Sequence, residues 1–164
     1  MSAGTGLDAR PDSPGIGFPP PLVFVAALAL GWGLDRLVPL PIDLGAIRPV
    51  VVLVGWALVV VWGVLFFPAL ALFRRARTGI MPNQPATMIV DRGPYRWTRN
   101  PMYVGMTALS LGAALVFDLR WAVLLVPVAV FAVDRFIIPR EERYLERRFG
   151  DPYRAYRERV RRWL

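Results

Sequence analysis

Two short stretches of the chain hold residues whose types and spacing suit chemistry: Arg99-Asn100-Pro101-Met102-Tyr103 and Glu141-Glu142. In the first, Asn100 and Pro101 are types that cap and open a helix, which explains both structurally. Arg99 and Tyr103 stand four apart, on one face if Arg99 joins the turn, beside a helix N-terminus that favours anions. An arginine there either holds a ligand carboxylate together with free backbone N–H groups or snorkels to lipid phosphate. The adjacent carboxylates of Glu141 and Glu142 repel each other and gain nothing from the dipole midway along a helix. They are either neutralised by nearby arginines or face a cationic ligand. Asp134 and Arg135 lie seven residues upstream, so each pair shares a face if Pro139 does not swing the helix. Ionisable groups just inside a membrane span are costly, and they tend to be paired or functional.

The composition removes whole classes of chemistry. The 164 residues include no His and no Cys. There is therefore no imidazole or thiolate metal site, no Ser-His or Cys-His nucleophile pair, no His-ligated haem and no disulfide. No metal is expected. An enzyme built from this chain works by positioning and electrostatics, with a carboxylate or a tyrosine as proton acceptor.

The elements that must position these residues are apolar. Hydrophobic residues make up 55% of the chain, above the usual globular share, and they cluster in four runs starting near Leu22, Val50, Met102 and Trp121. A bilayer core of about 30 Å needs about 20 helical residues. The fold expected is an all-α membrane protein of about four transmembrane helices, with spans 3 and 4 forming a helical hairpin and C-terminal cytoplasmic amphipathic helices. The first run is the shortest, but the Pro/Gly-rich leader with Asp8 and Asp12 makes a poor signal peptide, so a retained helix is expected. The division is a flexible tail at 1–20, transmembrane helices 1 and 2 at 21–73, a cytoplasmic loop at 74–100, the hairpin at 101–139 and cytoplasmic helices at 140–164.

All basic residues are arginine, concentrated at 74–99 and 140–162. The positive-inside rule puts both segments, and with them both termini, in the cytoplasm. A basic surface facing anionic lipid explains the charge, and no nucleic-acid partner is expected. Within the loop, Met88-Ile89-Val90 and Pro94-Tyr95-Arg96-Trp97 supply apolar anchors. Gly105, Ala108 and Gly112 share a face of the third span and permit close helix contact. Gly150 reads as a helix stop, and Asp151-Pro152 as the N-cap and first turn of a last helix. The apolar side of that helix, Tyr153, Tyr156, Val160 and Trp163, suits either the membrane surface or a lid folded over the loop.

The short connection between spans 3 and 4 brings the Arg99 end and the Glu141-Glu142 end to the same membrane face. Opposed guanidinium and carboxylate groups there suit a zwitterionic cofactor. These residues resemble a known group. Gly93-Pro94-Tyr95-Arg96, then Arg99-Asn100-Pro101-Met102-Tyr103-Val104-Gly105, a hydrophobic hairpin, Glu141-Glu142, and on through Phe149-Gly150, Tyr153 and Tyr156 are similar to the isoprenylcysteine carboxyl methyltransferase and phospholipid methyltransferase group. The similarity covers roughly residues 78–164.

The resemblance implies an enzyme of the bacterial or archaeal cell membrane that binds S-adenosylmethionine at the cytoplasmic face, releases S-adenosylhomocysteine and methylates a lipid or small amphipathic acceptor. Carried over by position, Tyr95, Arg99, Asn100, Tyr103, Glu141 and Glu142 contact the cofactor or shape its pocket, and Arg99 and Glu142 lie nearest the reacting methyl and acceptor. The group usually has His where this chain has Asn100, and an amide cannot act as a general base near neutrality. The competing expectations are an NADPH-dependent membrane reductase of the sterol-reductase type and a non-catalytic membrane protein that binds lipids or a partner.

Overall fold

A computed structural model describes residues 15–76 and 86–164. Residues 1–14 of the expected tail and 77–85 of the expected loop lie outside the described residues. Among the described residues the structure is helical, with one isolated parallel β-bridge between Thr98 and Arg161.

Helix α1 spans Pro21–Leu37, the interval expected, and begins at a proline whose missing N–H costs nothing in a first turn. It buries Phe24, Ala27 and Gly31, a stripe at spacings of three and four, against the helix α4 introduced below. A Cβ on Gly31 would sit 2.5 Å from the Ala122 backbone nitrogen, so glycine sets how closely α1 and α4 approach. Helix α2 spans Arg48–Arg75 and continues unbroken through Pro68. Its 28 residues reach about 42 Å, enough to cross the hydrocarbon with tilt. It buries only Gly55 and Ala69, while Leu53, Trp56, Val60, Val64 and Phe67 face outward. Water would not tolerate an apolar face of this extent, and acyl chains suit it.

Helix α3 covers Pro101–Val116 and lies against α2. The small-residue face expected on the third span makes this contact: a Cβ on Gly112 would fall 2.6 Å from the Gly55 carbonyl oxygen, and one on Gly105 3.3 Å from the Trp62 ring. Arg48 closes the far end of α3 by donating to the carbonyls of Leu115 and Val116 at 2.9 and 3.0 Å, an arrangement that also favours the negative end of the helix dipole.

The turn into α4 (Arg120–Ala132) is made by Asp118, the one non-glycine residue with positive φ among those described. Asp is among the few types that tolerate that conformation. At the same end Arg120 and Trp121 tie α4 to the loop after α1 by donating to the carbonyls of Leu40 and Val38.

Helix α4 runs through a π-helical turn, Val133–Ile137, into α5 (Ile138–Phe149), giving one helix of 30 residues. Pro139 is the second residue after the widened turn. Its ring and missing N–H disturb the preceding turn, and an inserted residue relieves the clash. Gly150, at positive φ, stops α5 as expected. The last helix, α6 (Asp151–Arg159), differs from expectation at its start: Gly150 occupies the cap position, and the Asp151 carboxylate accepts from Arg154 instead of capping. It also ends early, since Val160 is extended and 160–164 form a strap.

By length and composition two helices can cross a membrane, Gly45–Arg75 and Arg120–Phe149, and α3 is a shorter apolar helix. The shared core of α1, α3 and the α4–α5 helix is formed by Phe24, Ala27, Tyr103, Ala129, Val133, Ile137 and Ile138. Tyr103, one of the candidate site residues, is thus anchored in that core.

Candidate functional site

The site forms where the start of α3 meets the start of α5. Arg99 Nη1 lies 3.1 Å from Glu142 Oε1, with side chains only 12% and 13% exposed. One residue earlier on α5, Glu141 Oε1 accepts the Tyr103 hydroxyl proton at 2.9 Å. The two stretches singled out in the sequence therefore touch through two separate pairs. Arg99 precedes α3 instead of joining its first turn, so it and Tyr103 reach the glutamates from loop and helix respectively.

Asn100 departs from expectation. It occupies the cap position of α3, but its side chain makes no capping bond. Its amide Nδ2 instead donates to the Arg162 carbonyl at 3.0 Å. The Thr98 hydroxyl donates to the same oxygen at 2.9 Å, and the Arg99 backbone N–H to the Arg161 carbonyl at 2.8 Å. An extended strap running alongside offers carbonyls aligned with the loop, and those outcompete the local capping geometry. Tyr95 is buried in a 3-10 turn (Gly93–Arg96), its ring 5.5 Å from that of Phe73, and its carbonyl accepts the Tyr156 hydroxyl at 2.9 Å. Of the expected loop anchors, Ile89, Pro94 and Tyr95 pack inward, whereas Met88 and Trp97 are exposed.

The apolar side of the last helix is folded back. Tyr153, Tyr156 and Val160 are buried against Ile89, Leu145 and Phe149, which is the lid alternative of the two open from sequence. Trp163 packs against the main core.

Residues outside the sequence-based site complete the charge pattern. Arg162 grips Glu142 at two points, Nη2–Oε2 at 2.6 Å and Nε–Oε1 at 3.2 Å, and also lies 3.4 Å from Asp134. Trp163 Nε1 donates to Asp134 Oδ1 at 2.8 Å. Heptad spacing matched Asp134 with Glu141, but Arg162 links Asp134 with Glu142, eight residues on. The π turn adds one residue to the repeat and moves the partner by one position. Arg162 had no signal of its own among nine C-terminal arginines. The end of α6 at Val160 is what sets it apart, and helical periodicity did not reveal that end.

Two electrostatic features bear on chemistry. Glu141 lies beyond the apolar part of its helix, yet burial pushes its carboxyl up to about 7; the Tyr103 hydrogen bond pulls it down and the neighbouring Glu142 pushes it up. Burial likewise raises the Tyr153 hydroxyl to about 12, with Glu142 adding to the rise and Arg99 opposing it. Arg99 itself has two buried nitrogens, Nε and Nη1, with no hydrogen-bond partner. The Glu142 oxygen is near Nη1 but out of line for a hydrogen bond. Unsatisfied N–H groups of a guanidinium are expensive to bury, and a carboxylate delivered by a ligand supplies the acceptors they lack.

The phospholipid methyltransferase family model matches residues 50–152, from α2 to the start of α6. An uncharacterized protein of Haemophilus influenzae is 41% identical over 63 residues, which is 38% of this chain and 100% of that protein. No solved structure matches the chain. The matched interval includes both glutamates, Arg99 and Tyr103 and exceeds half the chain, and the chain therefore belongs to the phospholipid methyltransferase family of membrane methyltransferases.

Proposed function

We propose that the protein transfers a methyl group from S-adenosylmethionine to a lipid or small amphipathic acceptor at the cytoplasmic membrane face, in the site between Arg99 and Glu141-Glu142. The observation that carries this reading is the pairing of Arg99 with Glu142 while Arg99 keeps two unsatisfied buried nitrogens. The residues fit the cofactor: its amino-acid end is a zwitterion next to a sulfonium, and the site presents guanidinium N–H groups beside two carboxylates. The bound cofactor supplies an already activated methyl group, so the transfer needs no covalent enzyme intermediate.

The chain's own residues then have defined tasks. Arg99 offers Nε and Nη1 to the ligand carboxylate, and Glu141 and Glu142 face its cationic groups. Tyr103 fixes the orientation of Glu141 from a buried position in α3. Tyr95, Tyr153 and Tyr156 wall the site and keep water out, which holds the reacting groups at attack distance. A carboxylate or thiolate acceptor needs no base. An amine or hydroxyl acceptor needs one, and Glu141, whose buried carboxyl is raised to about 7, suits that task better than Glu142, whose oxygens Arg162 holds, or the Asn100 amide. The acceptor reaches the site through the bilayer.

In the membrane, α1 and α3 count as the first and third of four spans. Each is about 25 Å long, short of a full bilayer core, and each packs against a helix long enough to span. With four spans both termini share a side, and the arginine-rich segments favour the cytoplasmic side of a bacterial or archaeal cell membrane for them.

The test supplies purified protein with labelled S-adenosylmethionine and a membrane lipid extract, and identifies labelled products. Label in a lipid or a small amphipathic molecule supports the reading. No labelled product from any extract, with protein shown to be folded, removes it.

A further inference from the structure

The strap at 160–164 follows the last helix and lies outside the interval matched by the family, yet it provides the most extensively bonded charge in the site. Arg162 is held from two sides. Its carbonyl receives the Thr98 hydroxyl and the Asn100 amide, both from the residues flanking Arg99. Its guanidinium makes the two-point contact with Glu142 and reaches Asp134, whose Oδ1 also receives the Trp163 indole N–H. Two carboxylates and two guanidiniums thus alternate: Asp134, Arg162, Glu142, Arg99.

That order has a consequence for Arg99. With Arg162 holding both Glu142 oxygens and so fixing the orientation of the carboxylate, Arg99 gets only an off-line contact, and its Nε and Nη1 stay unsatisfied. Without Arg162, Glu142 is free to turn both oxygens onto Arg99 and make the two-point pair that guanidinium and carboxylate favour. A ligand carboxylate would then find Arg99 already neutralised.

Resting on the methyltransferase reading above, we propose that Arg162 is a positioning residue: by gripping Glu142 it keeps Arg99 open to ligand, and Asn100 and Thr98 hold Arg162 in place. Asn100, at the position where His is usual in the resembling group, thereby acts as an anchor for the strap.

The experiment measures S-adenosylhomocysteine binding and methyl-transfer kinetics on full-length protein in detergent, for wild type, Arg162→Gln, Arg162→Lys, Asn100→Ala, Glu142→Gln and the Arg162→Gln/Glu142→Gln pair. Thermal unfolding of each variant reports folding separately. Arg162→Gln is expected to weaken product binding about tenfold and to lower kcat by up to about 10²-fold through misplacement of the site. Arg162→Lys recovers part of the loss, since one ammonium replaces one of two contacts. Asn100→Ala gives a smaller loss in the same direction. In the Glu142→Gln background Arg162→Gln adds nothing further. Arg154→Gln, which breaks an exposed pair with Asp151, serves as the control and leaves both quantities unchanged. Additive losses in the double variant, or unchanged binding in folded Arg162→Gln, overturn the proposal while leaving the methyltransferase reading intact. A wild-type protein that binds neither S-adenosylmethionine nor its product overturns both.

Discussion

Replacing Tyr103 with Phe removes one hydroxyl and keeps the ring that α3 contributes to the core. The hydroxyl donates to Glu141 at 2.9 Å and lowers a carboxyl that burial has raised to about 7. A hydrogen bond to a charged group contributes about 1.5–3 kcal/mol. Because Glu141 is only half-buried, the lower figure applies, and at about 1.4 kcal/mol per pKa unit it corresponds to about one unit. The carboxyl of the variant should therefore titrate about one unit higher than that of wild type. Around the wild-type midpoint, a rise of one unit lowers the ionised fraction about fivefold. If the ionised form binds the cationic part of the ligand, affinity falls about fivefold at pH 7. The gap narrows to well under twofold by pH 8.5, where both forms are largely charged. Calorimetric titration with S-adenosylhomocysteine from pH 5.5 to 8.5, in one detergent, reads this as an upward shift of the midpoint of affinity against pH. A midpoint that stays put or moves down, or a loss that persists undiminished at pH 8.5, would refute the role given to the Tyr103–Glu141 pair.

Other consequences follow from the same geometry. Glu141 has a folded-state carboxyl raised above its ordinary value, so its contribution to stability is intact at acid pH and is lost as pH rises through about 7. Glu141→Gln should therefore be at least as thermostable as wild type at pH 8 while losing ligand affinity, measured by thermal scans and calorimetry on the same sample. Gly112→Leu drives a side chain against the Gly55 carbonyl and should destabilise the α2–α3 contact by about 1–3 kcal/mol, seen as a lower midpoint of thermal unfolding in detergent. Arg48→Ala strips two hydrogen bonds from the end of α3 far from the site. It should cost about 1–2 kcal/mol of stability and leave product affinity within about twofold, since no residue of the site moves.

How much of this was readable in the sequence depends on the range over which each feature is determined. Helix limits were legible where proline, glycine or a charge punctuates the apolar run. Pro21, Arg120 and Gly150 mark real boundaries. The meeting of Arg99 with Glu142 was legible because the short turn at Asp118 leaves the hairpin no other geometry. Three features were hidden. The π turn changes the helical repeat by one residue without any change in composition, and so altered which glutamate Asp134 shares a partner with. The Asn100 amide and the Asp151 carboxylate both looked like caps, but each found a better partner, one of them 62 residues away. The strap depended on the same long-range pairing. An arginine among many gives no sign of which carboxylate it will meet, and the charge alternation through Arg162 appears only once the loop and the C-terminus are side by side.

Equilibrium binding of S-adenosylhomocysteine and of NADPH to purified wild type, Arg99→Ala and Glu142→Gln decides whether the arginine and glutamate ends form a cofactor site. Wild type is expected to bind the sulfur compound and not the dinucleotide, and each substitution to weaken binding about tenfold or more while the protein stays folded. Binding of NADPH instead, or undiminished binding of the sulfur compound in both variants, contradicts that expectation.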